Sequence, residues 1–199
     1  MKTSTIVMLV LGVVLMLTGM TCCTKYNTMV GKRENAKKQW KDVENQYQRR
    51  SDLIPNIVAS VQGEATFEKS TLESVINARA SATQVKIDPS NMTEGDMQKF
   101  QSAQGSLGST LSRLMVVSEQ YPQLQANGAF KDLRVTLEGT ENRISNERSI
   151  YNDTSKEYNL FIQTFPNNFL SGMFGFNQMP YFEMEKEAKV NPRVSFDFK

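Results

Sequence analysis

From Thr3 to Thr24 the chain carries no charged side chain; the run is 22 residues long and dominated by Val, Leu, Met and Thr. As a helix rising about 1.5 Å per residue it would extend roughly 33 Å, enough for the ~30 Å hydrocarbon core of a bilayer. Three fates compete for such a segment. A cleaved signal peptide wants small residues before the cut, and Gly19-Met20-Thr21 is a poor match. A lipoprotein signal would make Cys22 or Cys23 the acylated residue, although the residues before them lack the usual aliphatic-then-small pattern. An uncleaved single-pass anchor over residues 1–24 is favoured, because "TKYNTMVGKRENAKKQW" starts a helical pattern at once, without a Ser/Gly/Pro linker. Lys25, Lys32, Arg33, Lys37, Lys38 and Lys41 follow the run against Lys2 before it. By the positive-inside rule this places the soluble part in the cytoplasm. A lipid-anchored form would instead face the periplasm or the surface.

Composition removes most chemistry. There is no histidine, so the commonest general base and metal ligand are missing. Cys22 and Cys23 are the only cysteines; adjacent to each other, they suit neither a zinc site nor a disulfide framework. Beyond residue 24 stand 22 bases against 21 acids, a net +1, which argues against nucleic acid as a partner. No phosphate-cradling glycine loop or nucleophile elbow occurs. The expectation is a chain without cofactor or metal.

The rest of the sequence carries four apolar seams on three-four spacing, the mark of helices with one buried face. The first is Met29, Ala36, Trp40, Val43, Tyr47; the second Ile54, Ile57, Val61, Ala65, Leu72, Val75, Ala82. The third is Phe100, Ala103, Leu107, Leu111, Leu114, Tyr121, and the fourth Phe130, Leu133, Leu137, Ile144, Tyr151, Tyr158, Ile162, Phe165. Arg49-Arg50 suit a helix C-terminus and Pro55 a first turn, so the stretch reads as two helices, or as one that is kinked. "KIDPSNMTEGD", "YPQLQANG" and "TFPNN" read as a loop, a turn and a helix stop. The fold expected is all-α: an antiparallel bundle of about four long helices over 25–165, after the transmembrane helix and before an irregular aromatic tail over 166–199 that packs on the bundle.

Charges interrupt these seams. Glu68 and Arg79 fall in gaps of the second, Glu141 on the fourth, with Arg148 beside it. A hydrophobic seam alone slips between registers, and an arginine and a carboxylate from facing helices would fix one. Glu68, Arg79, Glu141 and Arg148 are therefore read as a structural polar seam. The competing reading, a carboxylate hydrolase built on Glu68 and Glu141, has no histidine to support it, and a ferritin-like metal site would need one.

Several ordered blocks, from about residue 26 to 198, closely resemble the LemA family of bacterial proteins. They are Tyr26-Asn27, "RRSDLIPN", "LSRLMVVSEQYPQLQAN", "LEGTENRI", "YNDTSKEYN", "TFPNN" and "MFGF". The resemblance implies one transmembrane helix followed directly by a helical bundle, and no enzymatic activity to carry over. One relative is tied to intracellular membrane compartments in magnetotactic bacteria. The family often has a histidine before the glutamate that matches Glu68; here Phe67 stands there, so no role of that histidine transfers.

Residues 160–182 hold six of the eleven phenylalanines. They read either as a cover for the open end of the bundle or as a patch for a membrane or a partner. The alternation Val194, Phe196, Phe198 suits docking on the chain's own bundle, or on a partner's sheet. The function expected is a non-enzymatic, membrane-anchored scaffold with an unidentified protein partner. The alternative is a lipid-binding or membrane-remodelling protein acting through the basic first helix and the aromatic tail.

Overall fold

A computed structural model describes residues 3–63 and 67–183. Ala65 of the second seam and the Val194, Phe196, Phe198 alternation lie outside the described residues. Among the described residues there are six helices and no strand: α1 (Thr3–Gln62), α2 (Lys69–Gln84), α3 (Glu94–Ser118), α4 (Pro122–Ala126), α5 (Gly128–Gln163) and α6 (Asn167–Phe174).

The first helix is not divided at Pro55. It runs for 60 residues, about 90 Å, with the proline inside it. A proline has no N–H and so deprives the carbonyl four residues earlier, that of Ser51, of its helical donor. Arg79 of α2 replaces that donor: its Nε donates to the Ser51 carbonyl at 2.9 Å. Arg49-Arg50 therefore mark no helix end, and a charge on the second seam serves the backbone of the first helix. Replacing Arg79 with methionine should cost about 1 kcal/mol. The cost should shrink when Pro55 is also changed to alanine, whose N–H can bond Ser51 itself. Urea melts of the four proteins in a double-mutant cycle check this, and strictly additive costs would refute the coupling.

The seams point inward as their spacing requires. All of the first is buried, as are the described members of the second. Ala103, Tyr121 and Leu133 are half-buried, and Phe165 is the exception, discussed below. The core stacks in three layers along α1. Farthest from the N-terminal run, Ile54, Ile57 and Val61 meet α2, α3, α4 and α5. In the middle, Trp40, Val43 and Tyr47 meet Phe100 of α3, Ile144 and Tyr151 of α5, and Phe182. Nearest the run, Met29 and Ala36 meet Tyr158 and Ile162 of α5 with Phe176 and Met179, and Leu170 of α6 packs against the layer. The bundle is thus four-helical at its far end. At its near end it is a helix pair, α1 and α5, completed by α6 and the irregular segment 176–183.

Local chemistry sets the boundaries. Thr93 Oγ1 accepts from the Asp96 N–H at 3.1 Å while the Asp96 carboxylate accepts from the Thr93 N–H at 3.1 Å, a reciprocal cap that starts α3. Asn127 Oδ1 accepts from the Ala129 and Phe130 N–H groups and starts α5. Between them, the residues read as a turn include one helical turn, α4, with Pro122 at its head. Gly175, at φ +70°, closes α6 in the left-handed conformation that glycine adopts freely. The Phe176 N–H then bonds the Ser171 carbonyl at 2.9 Å, and the chain turns onto α5.

Candidate functional site

The polar centre of the bundle is Arg50, only 3 % exposed. Its Nη1 donates to Glu141 Oε1 of α5 at 2.7 Å. Its Nη2 donates to the side-chain oxygen of Gln104 at 2.7 Å and to the Gln104 carbonyl at 3.1 Å. Gln104 in turn donates to the Ala82 carbonyl of α2 at 3.4 Å. One guanidinium thus ties together α1, α3 and α5 and reaches α2 through the amide. The Tyr47 ring lies 5.1 Å beneath it.

The predicted seam residues separate into four settings. Glu141 of α5 meets Arg50 of the facing helix α1, which was not among the seam residues. Arg148 lies 4.9 Å over the Phe182 ring and donates to the Glu183 carbonyl at 3.1 Å. Arg79 serves Ser51 as described. Glu68 heads α2, accepting from Ser70 Oγ at 2.7 Å and Thr71 Oγ1 at 3.0 Å; these bonds, with help from Arg113, hold its carboxyl below the usual range. Glu68 and Glu141 are not brought together: Arg113 and Gln104, their respective neighbours on α3, stand nine residues apart, about 13 Å along the axis. Cys22 is half-buried and Cys23 exposed, both as free thiols on α1. Among the described residues no three Asp, Glu or Cys side chains gather as a metal ion would require. A groove of about 420 Å³ beside the Arg50 cluster, between α1 and residues 82–87, holds a single carboxylate, Glu44, among its lining.

A second construction was missed in the sequence. Tyr-Asn occurs twice on α5, as Tyr151-Asn152 and Tyr158-Asn159, seven residues apart. Each asparagine holds both backbone groups of one residue in segment 176–183. Asn152 accepts from the Phe182 N–H at 2.8 Å and donates to its carbonyl at 3.0 Å. Asn159 does the same to Met179, at 2.8 Å both ways, and donates to the Tyr181 hydroxyl at 3.0 Å. The tyrosines add bonds between: Tyr151 donates to the Pro180 carbonyl at 3.0 Å and Tyr158 to the Asn177 carbonyl at 2.9 Å. Seven helical residues rise about 10.5 Å, and three residues of extended chain span about 10 Å, so a seven-residue repeat fits a three-residue one running the opposite way. The repeat within "YNDTSKEYN" was the available signal. Phe182, delivered by this clasp, stacks on Trp40 at 5.7 Å.

Burial pushes the Tyr151 hydroxyl up to about 12, and that of Tyr158 upward as well. A group whose value is raised by folding stabilises the fold while protonated. Its contribution is intact below the ordinary value near 10 and is lost as the pH climbs through about 12. An alkaline titration followed by tyrosinate absorbance should show these hydroxyls ionising last, together with loss of helix. Ionisation of every tyrosine near the ordinary value, with helix intact, would contradict it.

The sequence profile of the LemA family matches residues 39–196. Magnetosome proteins MamQ 1 and MamQ 2 of Paramagnetospirillum magneticum are each 30 % identical to the chain over 192 residues, covering 88 % of it and 70 % of their own length. Magnetosome protein MamQ of Magnetospirillum gryphiswaldense is 28 % identical over the same span. A helix long and apolar enough to cross a membrane leads directly into the described bundle, and with that architecture and this match the chain belongs to the LemA family.

Proposed function

We propose that the chain is a non-enzymatic scaffold that holds a stiff helical bundle at a membrane and presents one of its faces to a protein partner. The observation that carries the reading is the continuity of α1, which leaves the uncharged run and enters the bundle as one helix. A bundle joined this way cannot swivel as one on a flexible linker does. The relatives named as magnetosome proteins make an organising role at a membrane the natural class. The excess of Lys and Arg after the run supports a cytoplasmic position for the bundle.

The test is in-cell photocrosslinking from exposed apolar positions of the bundle, among them Ile76, Val116, Val135 and Ile150. One face should give the same discrete protein adduct from neighbouring positions and the opposite face none. Silence from every face would overturn the reading. Protease access before and after permeabilising cells checks the side of the membrane.

A further inference from the structure

α6 is built inside out for a helix in water. Two of its three polar side chains face the protein: Asn167 donates to the Phe161 carbonyl at 2.9 Å and Ser171 to the Ile162 carbonyl at 3.0 Å, capping the last turn of α5. Leu170 packs on the near-end core, but its other large apolar residues face away. Phe165, Phe169 and Met173, four residues apart in turn, are 74 %, 69 % and 68 % exposed. Phe165 and Phe169 touch ring to ring at 6.0 Å, and Phe174 beside them is 50 % exposed. From Tyr158 to Phe182 the sequence has no charged residue at all.

The position of this face names its occupant. Tyr26 of α1 packs edge-on against Phe174 at 4.9 Å and Phe176 at 5.6 Å. Tyr26 lies two residues, about 3 Å, past the end of the uncharged run at Thr24. α6 therefore sits level with the point where α1 would leave the bilayer. Lys25 and Lys32 lie over the Phe161 ring at 5.6 and 5.9 Å; Lys25, one residue past the run, stands at the height of lipid phosphates, while Lys32, about 12 Å past it, pairs with Glu157 at 3.3 Å. A tyrosine, a lysine and a row of phenylalanines at the end of a membrane span form the side-chain set of the water–lipid boundary.

We infer that α6 and the turn before it form a membrane-seated foot, with Phe165, Phe169 and Met173 entering the boundary of the same bilayer that α1 spans. A helix held by its span alone can tilt and rotate, whereas a second contact beside it fixes the angle of the bundle. The inference rests on α1 spanning a bilayer and goes beyond the scaffold reading, which needs no second contact.

The experiment uses the full chain in phosphatidylcholine vesicles whose acyl chains are brominated, with Phe169→Trp added. Trp40 serves as the internal control: it lies sixteen residues past Thr24, about 24 Å beyond the run and inside the bundle. The parent protein should keep its emission in these vesicles, while the variant's added emission should shift to the blue and lose more than half its intensity relative to unbrominated vesicles. Phe165→Trp is the second probe should the first variant lack the parent's helicity. Added emission that stays unquenched while the protein resists carbonate extraction overturns the foot and leaves the anchor standing. A blue shift that grows with protein density but not with brominated lipid also overturns it, and assigns the face to a second copy. Release by carbonate overturns both.

Discussion

Replacing Glu141 with alanine is expected to destabilise the bundle by about 3 kcal/mol, more than removing the arginine it faces. Arg50 is buried and Glu141 is about half exposed, so the two halves of the pair differ in how they tolerate being left alone. Without the carboxylate, a buried guanidinium keeps only the two neutral oxygens of Gln104. Without the guanidinium, the carboxylate turns to water, and the main penalty falls on Gln104, whose buried side-chain oxygen loses its donor. Arg50→Met should therefore cost about 2 kcal/mol, its apolar stem being retained by the methionine. Glu141→Gln keeps an acceptor and should cost about 1 kcal/mol. The double replacement should be no worse than Glu141→Ala, because no buried charge then remains. At about 2–4 °C per kcal/mol for a chain of this size, Glu141→Ala should lower the melting temperature by about 6–12 °C. Losses within about 0.5 kcal/mol for both single variants would show the pair to be solvated and the polar centre to have no structural role.

The seams were legible because spacing alone decides which face of a helix is apolar. Met29, Ala36, Trp40, Val43 and Tyr47 needed no knowledge of any partner to be placed inside. The polar centre was not legible in the same way. Glu141 stood out because a charge on a seam is anomalous, but its partner lies 91 residues away and reads locally as a helix-ending arginine. Arg79 was visible as an intrusion, yet its use depends on the Ser51 carbonyl, 28 residues earlier, which Pro55 leaves without a helical donor and which no local pattern relates to it. Phe165 shows where periodicity ends. It continues the fourth seam by number, but α5 stops at Gln163, and past that point the helical register no longer assigns a face. The tail divides for the same reason: Phe176 and Phe182 are placed inward by the clasp, whereas Phe169 and Phe174 are placed outward by a short helix whose polar side caps α5.

Replacing Asn159 with alanine is expected to open segment 176–183 without unfolding the helices beneath it. Asn159 is buried and holds the N–H and carbonyl of Met179 together. Its loss strands two backbone groups that have no helix or sheet to satisfy them, and a buried unsatisfied group costs about 1–3 kcal/mol. The chain can escape this cost by lifting the segment into water, where Met179 and Phe176 lose their contacts with α1. Local opening should thus become easier by about 3 kcal/mol, roughly a 100-fold faster exchange of the Met179 amide, with the interior of α1 and α5 still protected. Asn159→Asp should not rescue it: a carboxylate still accepts from the Met179 N–H but offers the carbonyl no donor and buries a charge. Asn152→Ala should act more weakly, being only half-buried, and should act chiefly at Phe182. Because Phe182 covers Trp40, tryptophan emission gives a second reading, moving to the red as the segment lifts. An unchanged Met179 exchange rate in Asn159→Ala would mean that apolar contact alone seats the segment. The paired Tyr-Asn repeat would then be incidental to closing the near end of the bundle.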